Sequence, residues 1–232
     1  MNKVQISQIL SIIQNRKKNF VLKSAFCNLH NDLMFQHFDT SLSGCTANVC
    51  FFKKDILTCA NVGDSRCVIG TLNKPGMNLI KMKAKSPSTK QTLVFKKKEE
   101  RALYWRSIAL SIDHKPNKPQ EKARIEKAGG IVKTSLDPST RIPGPARVWT
   151  GDATQAGLAM SRSLGDGSLK HIGVTSEPEI REIELKEQDK FLVIATDGIW
   201  DVFSNKEVVL FVVPFWEKGD PQEAARALVE EA

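Results

Sequence analysis

The stretch that decides the fold is Ser43–Gly70, SGCTANVCFFKKDILTCANVGDSRCVIG. Apolar and polar residues alternate along its first run, and the Lys53–Asp55 and Gly63–Asp64 segments supply turn residues between three runs. This pattern predicts an antiparallel three-stranded meander. The runs hold too few polar residues for a sheet with one solvated face, so we expect both faces to be covered.

Two groups of apolar residues upstream recur at helical spacing. The first group is Ile6, Ile9, Leu10 and Ile13, and the second is Leu22, Phe26, Leu29 and Leu33. The apolar face changes near Asn15–Lys18, so we predict two amphipathic helices with a break at those residues.

Strand and helix signals continue downstream, and no linker separates them, so we predict one domain over residues 1–232. The signals are a strand at Ser107–Asp113, a helix opened by Pro119 and ended by Gly129–Gly130, a buried strand at Lys190–Ala195, and helices capped by Ser204 and Asp220.

The composition is that of a folded protein. The chain has 232 residues, of which 41% are hydrophobic and 26% charged, and its mean hydropathy is -0.27. The longest apolar run, Val208–Trp216, contains a proline and is far shorter than the roughly 20 residues that a bilayer requires. The sequence therefore excludes disorder of the whole chain and predicts no membrane partner.

The net charge of +8 belongs to one segment. Residues 71–106 hold ten Lys and Arg and two Glu, so the remainder of the chain is neutral. A nucleic-acid-binding protein spreads positive charge over its fold. We interpret residues 71–106 as a basic insertion and expect no nucleic-acid partner; binding of nucleic acid or an acidic protein by this segment is the weaker alternative.

The cysteines indicate a reducing compartment. Their number is odd, they lack CxxC spacing, and most lie in apolar runs, which is typical of buried thiols in cytoplasmic or nuclear proteins. They are Cys27, Cys45, Cys50, Cys59 and Cys67.

Two carboxylates stand where predicted strands end. Asp197 precedes a glycine, and Asp113 precedes His114. A carboxylate at a rigid strand end can bind Mg²⁺ or Mn²⁺, which prefer fixed oxygen ligands. Ordinary turn chemistry is the alternative for each acid, and taken alone it is favoured for Asp197. For Asp113 this alternative makes His114 a surface residue.

Two further pairs favour structural roles. Asp64 and Ser65 fit a hairpin turn. Arg162 and Asp166 fit a partly buried charge pair, with phosphate binding by Arg162 as the alternative.

Eight signatures, taken in order, resemble the metal-dependent protein phosphatases, the type 2C serine/threonine family. They are SGCTANV, ANVGDSR, LSIDHKP followed by E-x-x-R-I-x-x-A-G-G, RVW, GLAMSRSLGD, GVTSEPEI and FLVIATDGIWDVFSNKEVV. The resemblance extends from Leu22 to Ala232, apart from the basic segment. It implies an α+β fold, an αββα sandwich of two antiparallel sheets flanked by helices.

The resemblance also implies a chemistry. In that family two divalent metals, Mg²⁺ or Mn²⁺, activate a water that attacks phosphoserine or phosphothreonine. Asp197 matches a metal-ligand position of the family, and Asp113 matches a residue associated with an additional, weaker metal. We therefore expect a monomer that acts on phosphorylated proteins.

Departures from the family pattern leave the catalytic residues unknown. The D-G-H-G-G motif is absent, the upstream phosphate-binding Arg has no counterpart, and an R-G-S-x-D-N motif would begin after Ala232. We expect an incomplete segment that lacks the family's first strands and last strand and has little activity by itself. The alternative is a catalytically inactive phosphatase-like binding or regulatory protein.

Overall fold

The computed structural model describes residues 3–73, 101–136, 143–151 and 157–232. The helices are α1 (Lys3–Met34), α2 (Pro119–Lys127), α3 (Asp197–Trp200), α4 (Asn205–Trp216) and α5 (Pro221–Glu231), with a 3-10 helix at Gly167–Ile172. The strands are β1 (Gly44–Cys45), β2 (Ala47–Lys53), β3 (Ile56–Val62), β4 (Arg66–Leu72), β5 (Trp105–Ala109), β6 (Ile131–Leu136), β7 (Pro143–Trp149), β8 (Leu164–Gly165), β9 (Glu179–Glu184) and β10 (Asp189–Ala195).

These strands form small sheets in the described part of the chain. Their orders are β10-β4-β5, β2-β3-β9, β6-β7 and β1-β8. The pairings of β4 with β10 and β5, of β6 with β7 and of β1 with β8 are antiparallel. The predicted α+β class with antiparallel sheets is confirmed.

Two compact units make up the chain. The first comprises Met1–Cys50, Cys59–Ser65 and Ile112–Arg181, and the second comprises Phe51–Thr58, Arg66–Ser111 and Glu182–Ala232. Within the first unit, one buried cluster joins residues of α2, β7 and the 3-10 helix, and another joins residues of α1, β3 and β8.

The core of the second unit lies between the β10-β4-β5 sheet and the helices that follow β10. Four valines of α4 are buried there, at positions 208, 209, 212 and 213, which form one stripe of the helix. Trp105 of β5 packs edge-on against Trp216 of α4, with ring centroids 5.2 Å apart. Full burial of each such side chain contributes about 1.5–3 kcal/mol, so this stripe fixes α4 on the sheet.

The predicted helix ends downstream of residue 118 are confirmed. Pro119 opens α2, and Gly129 follows its end with a φ of +86°. Ser204 and Glu207 form a reciprocal capping box at the start of α4, and the Asp220 side chain accepts the Glu223 N–H at the start of α5. These ends are predictable because caps depend on neighbouring residues alone.

One prediction that fails is the break in the first helix. Helix α1 runs from Lys3 to Met34 through Asn15–Lys18. The side chains at those four positions are compatible with helical backbone, and neither Pro nor Gly occurs among them. A change of apolar face therefore does not end a helix. No helix in the described residues has the length and apolar character needed to cross a bilayer.

The predicted three-stranded meander is also wrong. Strand β3 pairs with β2 and β9, whereas β4 pairs with β10 and β5. Gly63, between β3 and β4, has a φ of +96°, and a Cβ there would lie 2.3 Å from Cγ2 of Thr46. The Gly63–Ser65 segment thus carries the chain from one sheet to another and is not a hairpin turn. Both strands are buried along nearly their whole length, as expected for covered faces.

The basic segment connects two neighbouring strands. Leu72 at the end of β4 and Trp105 at the start of β5 are Cα partners in the antiparallel register. Strand β5 ends at Ala109, so the strand predicted at Ser107–Asp113 is shifted. Most of the predicted insertion, residues 74–100, lies outside the described residues, and its role stays a prediction.

Deletion of residues 74–98 is expected to leave the melting temperature within a few degrees of its original value, because the flanking strand ends are already adjacent. Thermal unfolding followed by circular dichroism measures this. As a control, Leu72→Ala removes a buried side chain of the second unit and should lower the melting temperature clearly. A deletion that destabilises more than this substitution would contradict the insertion.

Candidate active site

Asp197 stands at the end of a strand, where the sequence places it. It is the first residue of α3, after β10 and the N-cap residue Thr196, and its side chain is exposed. The Asp197 carbonyl accepts the Asp201 N–H at 2.8 Å, and the Trp200 indole N–H donates to the Ala195 carbonyl at 2.8 Å. Helix α3 is therefore fixed to the end of β10 and presents an exposed carboxylate.

Asp113 lies in the segment that precedes α2, and its side chain is half-buried. Its carbonyl accepts the Lys115 N–H at 3.0 Å, and the N–H of the next residue, His114, donates to the Gly63 carbonyl at 3.1 Å. The backbone at Asp113 is thus held in place by bonds on its carboxyl-terminal side.

His114 is buried, so the interpretation of it as a surface residue is wrong. Its side chain is 2% exposed, and Nδ1 accepts the Gly63 N–H at 3.1 Å. Burial, aided by the charge of Arg162, lowers the pKa of His114 to about 4. The imidazole is therefore neutral at pH 7 with its proton on Nε2, which lies 3.5 Å from a carboxylate oxygen of Glu179.

A buried carboxylate, Glu121 of α2, organises the surroundings of His114. It accepts hydrogen bonds from Arg162 at 2.6 Å, Arg124 at 2.8 Å and the Ser161 hydroxyl at 2.6 Å. Burial by itself would raise the pKa of Glu121, but these bonds outweigh it and hold the pKa well below its ordinary value. The Ser161 N–H donates to the His114 carbonyl at 2.8 Å, which ties this network to the Asp113 segment.

Arg162 does not form the predicted charge pair with Asp166, because its guanidinium is bonded to Glu121. Asp166 is 4% exposed and has a left-handed φ of 48°, and its Oδ2 makes no hydrogen bond within the described residues. Burial lowers the pKa of nearby Lys170 to about 8, and the charge of Asp166 opposes this effect. The charges of Asp166 and Lys170 therefore interact favourably, while the Lys170 ammonium donates hydrogen bonds to Ser163.

Asp64 does more than turn the chain. Its carboxylate is buried and accepts a hydrogen bond from the Lys115 ammonium at 2.5 Å. The Ser65 hydroxyl lies 2.7 Å from the Thr46 hydroxyl. The hairpin role predicted for Asp64 and Ser65 is wrong. Together with the bonds of His114 and Glu121, this pair joins four separate sequence signatures within the first unit.

The exposed Asp197 carboxylate fits a hard dication as one ligand, since Mg²⁺ and Mn²⁺ prefer oxygen donors. Asp113 belongs to the other compact unit. In the described ranges, no three acidic side chains bring their oxygens together at the spacing of a metal site. The described residues thus fit a single-ligand role and do not by themselves form a two-metal centre. The assignment of Asp197 and Asp113 as ligands stays a prediction.

Comparison with known proteins identifies the family. The family model of Protein phosphatase 2C matches residues 4–232. The chain belongs to the protein phosphatase 2C family. Among curated phosphatase 2C relatives, Probable protein phosphatase 2C 12 of Oryza sativa subsp. japonica is 38% identical over 212 residues, which cover 90% of this chain and 45% of the relative. Probable protein phosphatase 2C 72 of Arabidopsis thaliana is 35% identical over 210 residues, which cover 90% of this chain and 53% of the relative. This chain thus spans about half the length of these relatives.

Solved structures agree on the phosphatase 2C fold. A serine-threonine phosphatase 2C from Toxoplasma gondii matches with a TM-score of 0.71 and 21% identity over 100% of this chain and 66% of that one. A C. elegans sex determining protein matches with a TM-score of 0.58 and 20% identity over 93% and 41% of the two chains. At these identities the similarity establishes the fold alone, which is the fold that the resemblance implied.

Glu121 and Arg124 belong to the E-x-x-R-I-x-x-A-G-G signature, but the sequence predicted no site role for either residue. Glu121 and Arg124 are three residues apart in α2, a spacing at which side chains of a helix meet. What the spacing cannot indicate is that Arg162, far along the chain, completes the network.

Proposed function

We propose that this chain forms part of a serine/threonine protein phosphatase that depends on Mg²⁺ or Mn²⁺. The observation that carries the proposal is the exposed Asp197 carboxylate at the end of β10, in a chain of the phosphatase 2C family. The substrates are phosphoserine and phosphothreonine residues of other proteins.

The chemistry follows from the residue types. A bound dication supplies Lewis acidity and neutralises the charge of the phosphoryl oxygens. Asp197 offers a negatively charged oxygen donor, and the Trp200–Ala195 hydrogen bond limits the movement of the turn that bears it. Asp113 offers a second carboxylate on a segment anchored through His114 and Glu121.

The proposal extends to the setting of the protein. The five cysteines, all within the described ranges, form no disulfide, which supports a reducing compartment, the cytoplasm or the nucleus. We propose a monomer whose partners are phosphorylated proteins.

A second candidate function is a catalytically inactive phosphatase-like protein that binds or regulates others. It is favoured by the lack of a D-G-H-G-G motif in the 232 residues, and by the lack of a three-carboxylate cluster in the ranges that the structure describes.

Phosphate release from a phosphothreonine peptide distinguishes the two candidates. The assay uses the longest product of the gene that contains this chain, with Mn²⁺ and with EDTA in excess, and the 232-residue chain alongside. We expect manganese-dependent release by the longer product that EDTA abolishes, and little or none by the 232-residue chain. Peptide binding without release by the longer product would favour the inactive binding protein.

A further inference from the structure

Arg66 lies beside the turn that carries Asp197. It is the first residue of β4, and its Cα is the register partner of Ala195, the last residue of β10. Both residues belong to the second unit. Arg66 therefore projects from the neighbouring strand at the level where β10 ends and α3 begins.

The guanidinium of Arg66 makes two distinct contacts there. Its central carbon lies 5.1 Å from the ring centroid of Trp200, within the range of a cation–π interaction. Its Nη1 donates to the side-chain oxygen of Asn205 at 2.6 Å. Since Trp200 is in α3 and Asn205 is the first residue of α4, one side chain joins both helices to β4.

Trp200 transmits this restraint to the strand end. Its side chain is buried, and its indole N–H donates to the Ala195 carbonyl. Asp197 lies between Ala195 and Trp200 in the sequence. Ala195 is held by its pairing with Arg66 of β4, and Trp200 by its contacts with Arg66 and Ala195. The exposed carboxylate thus stands on a short turn whose two ends are held, although the carboxylate itself is in solvent.

We propose that Arg66 is a positioning residue that holds the Asp197 turn at the end of β10 through Trp200 and Asn205. The part of this inference that concerns metal rests on the proposed function of Asp197 as a ligand. The guanidinium is suited to the task because its plane can stack on an indole while an edge N–H donates to an amide oxygen. A lysine ammonium carries the same charge but cannot make both contacts in this geometry.

The experiment combines amide hydrogen exchange with paramagnetic broadening, both by NMR on the 232-residue chain. The variants are Arg66→Met, Arg66→Lys and Trp200→Phe, and the last keeps an aromatic face but loses the indole N–H. Arg226→Met is the matched control, because Arg226 is exposed on α5 and pairs only with glutamates of its own helix in the described residues. The amides to follow are those of Trp200, Asp201 and Phe203, which donate within the turn.

We expect Arg66→Met and Arg66→Lys to raise exchange of these three amides by on the order of tenfold, while amides in the centre of β4 and in α5 change little. Trp200→Phe should do the same, and Arg226→Met should leave the turn unchanged. Unchanged exchange in both Arg66 variants would overturn the proposal. An equal rise throughout the second unit would also overturn it, because it would indicate a loss of global stability.

The second measurement is paramagnetic broadening by Mn²⁺. Added Mn²⁺ alone should broaden the amide signals of residues 196–199 in the unaltered chain, and Asp197→Asn should remove this effect. In Arg66→Met the same broadening should require several times more Mn²⁺. If the unaltered chain shows no broadening, Asp197 does not bind Mn²⁺ in this chain, and the exchange result alone decides whether Arg66 holds the turn. If broadening occurs but is the same in Arg66→Met, Arg66 does not position the carboxylate.

Discussion

Asp197→Asn is expected to lower manganese-dependent phosphate release by on the order of a hundredfold or more in the longest gene product that contains this chain. The amide keeps the shape of the side chain but removes the negative charge that attracts a dication. Because the carboxylate is exposed, its replacement should change the melting temperature little. The measurement is the initial rate of release from a phosphothreonine peptide at a series of Mn²⁺ concentrations.

Glu187→Gln is the matched control for this substitution. It removes one exposed carboxylate close to the start of β10 in the same unit, and it should leave the rate unchanged. Equal rates for Asp197→Asn and the unaltered protein at every Mn²⁺ concentration would show that Asp197 is not a ligand.

Glu121→Ala is expected to destabilise the chain by about 3 kcal/mol, because it leaves the partly buried guanidinium groups of Arg162 and Arg124 without their carboxylate. For a chain of this size such a loss corresponds to a fall of roughly 10 °C in melting temperature. Urea unfolding followed by tryptophan fluorescence gives the free energy of unfolding.

Glu126→Ala provides the comparison on the same helix. Glu126 is exposed, and its Oε1 lies 3.7 Å from Nζ of Lys122. Removal of its carboxylate should lower the free energy of unfolding by less than about 1 kcal/mol. Similar losses for the two variants would mean that the Glu121 network contributes no more than a surface pair.

Acid should weaken the same region. The pKa of Glu121 is lower in the folded than in the unfolded chain, so its contribution is present above the unfolded-state value of about 4.3 and is lost as the pH falls below it. The pKa of His114 is lowered to about 4, so between pH 6.5 and 4 the unfolded chain binds the proton first and unfolding is favoured. Glu121→Ala should therefore flatten the decline of stability below pH 4.3 and leave the decline above it.

Local signals predicted the parts of the fold that depend on neighbouring residues. The strand at Lys190–Ala195 and the caps at Ser204 and Asp220 are where the sequence indicates, because a cap needs only a side chain and a backbone N–H a few residues away. The burial predicted for this strand is wrong, since its residues are half-buried and Ile194 is 48% exposed. The pairing of β4 with β10 and β5 could not be predicted in this way. It depends on strands far apart in sequence, and the short Gly63–Ser65 connection favours the wrong neighbour.

In the candidate site, too, only the features that depend on neighbouring residues could be predicted. Position in the chain indicates that Asp197 ends a strand, and the structure agrees. Nothing local indicates that His114 is buried, because the residues that form hydrogen bonds with it, Gly63 and Ser161, come from distant parts of the chain. Arg66 is likewise recognisable only once β4 and β10 are known to be partners.

The register of β4 against β5 has a practical consequence. Leu72 and Trp105 are opposite each other in the antiparallel pair of β4 and β5, so their Cα atoms are about 5 Å apart. A reporter domain whose own termini are close could be spliced in place of the lysine-rich stretch without changing the alignment of the strands. The chain thus offers an internal fusion point, at which a fluorescent label would report on the protein without occupying either terminus.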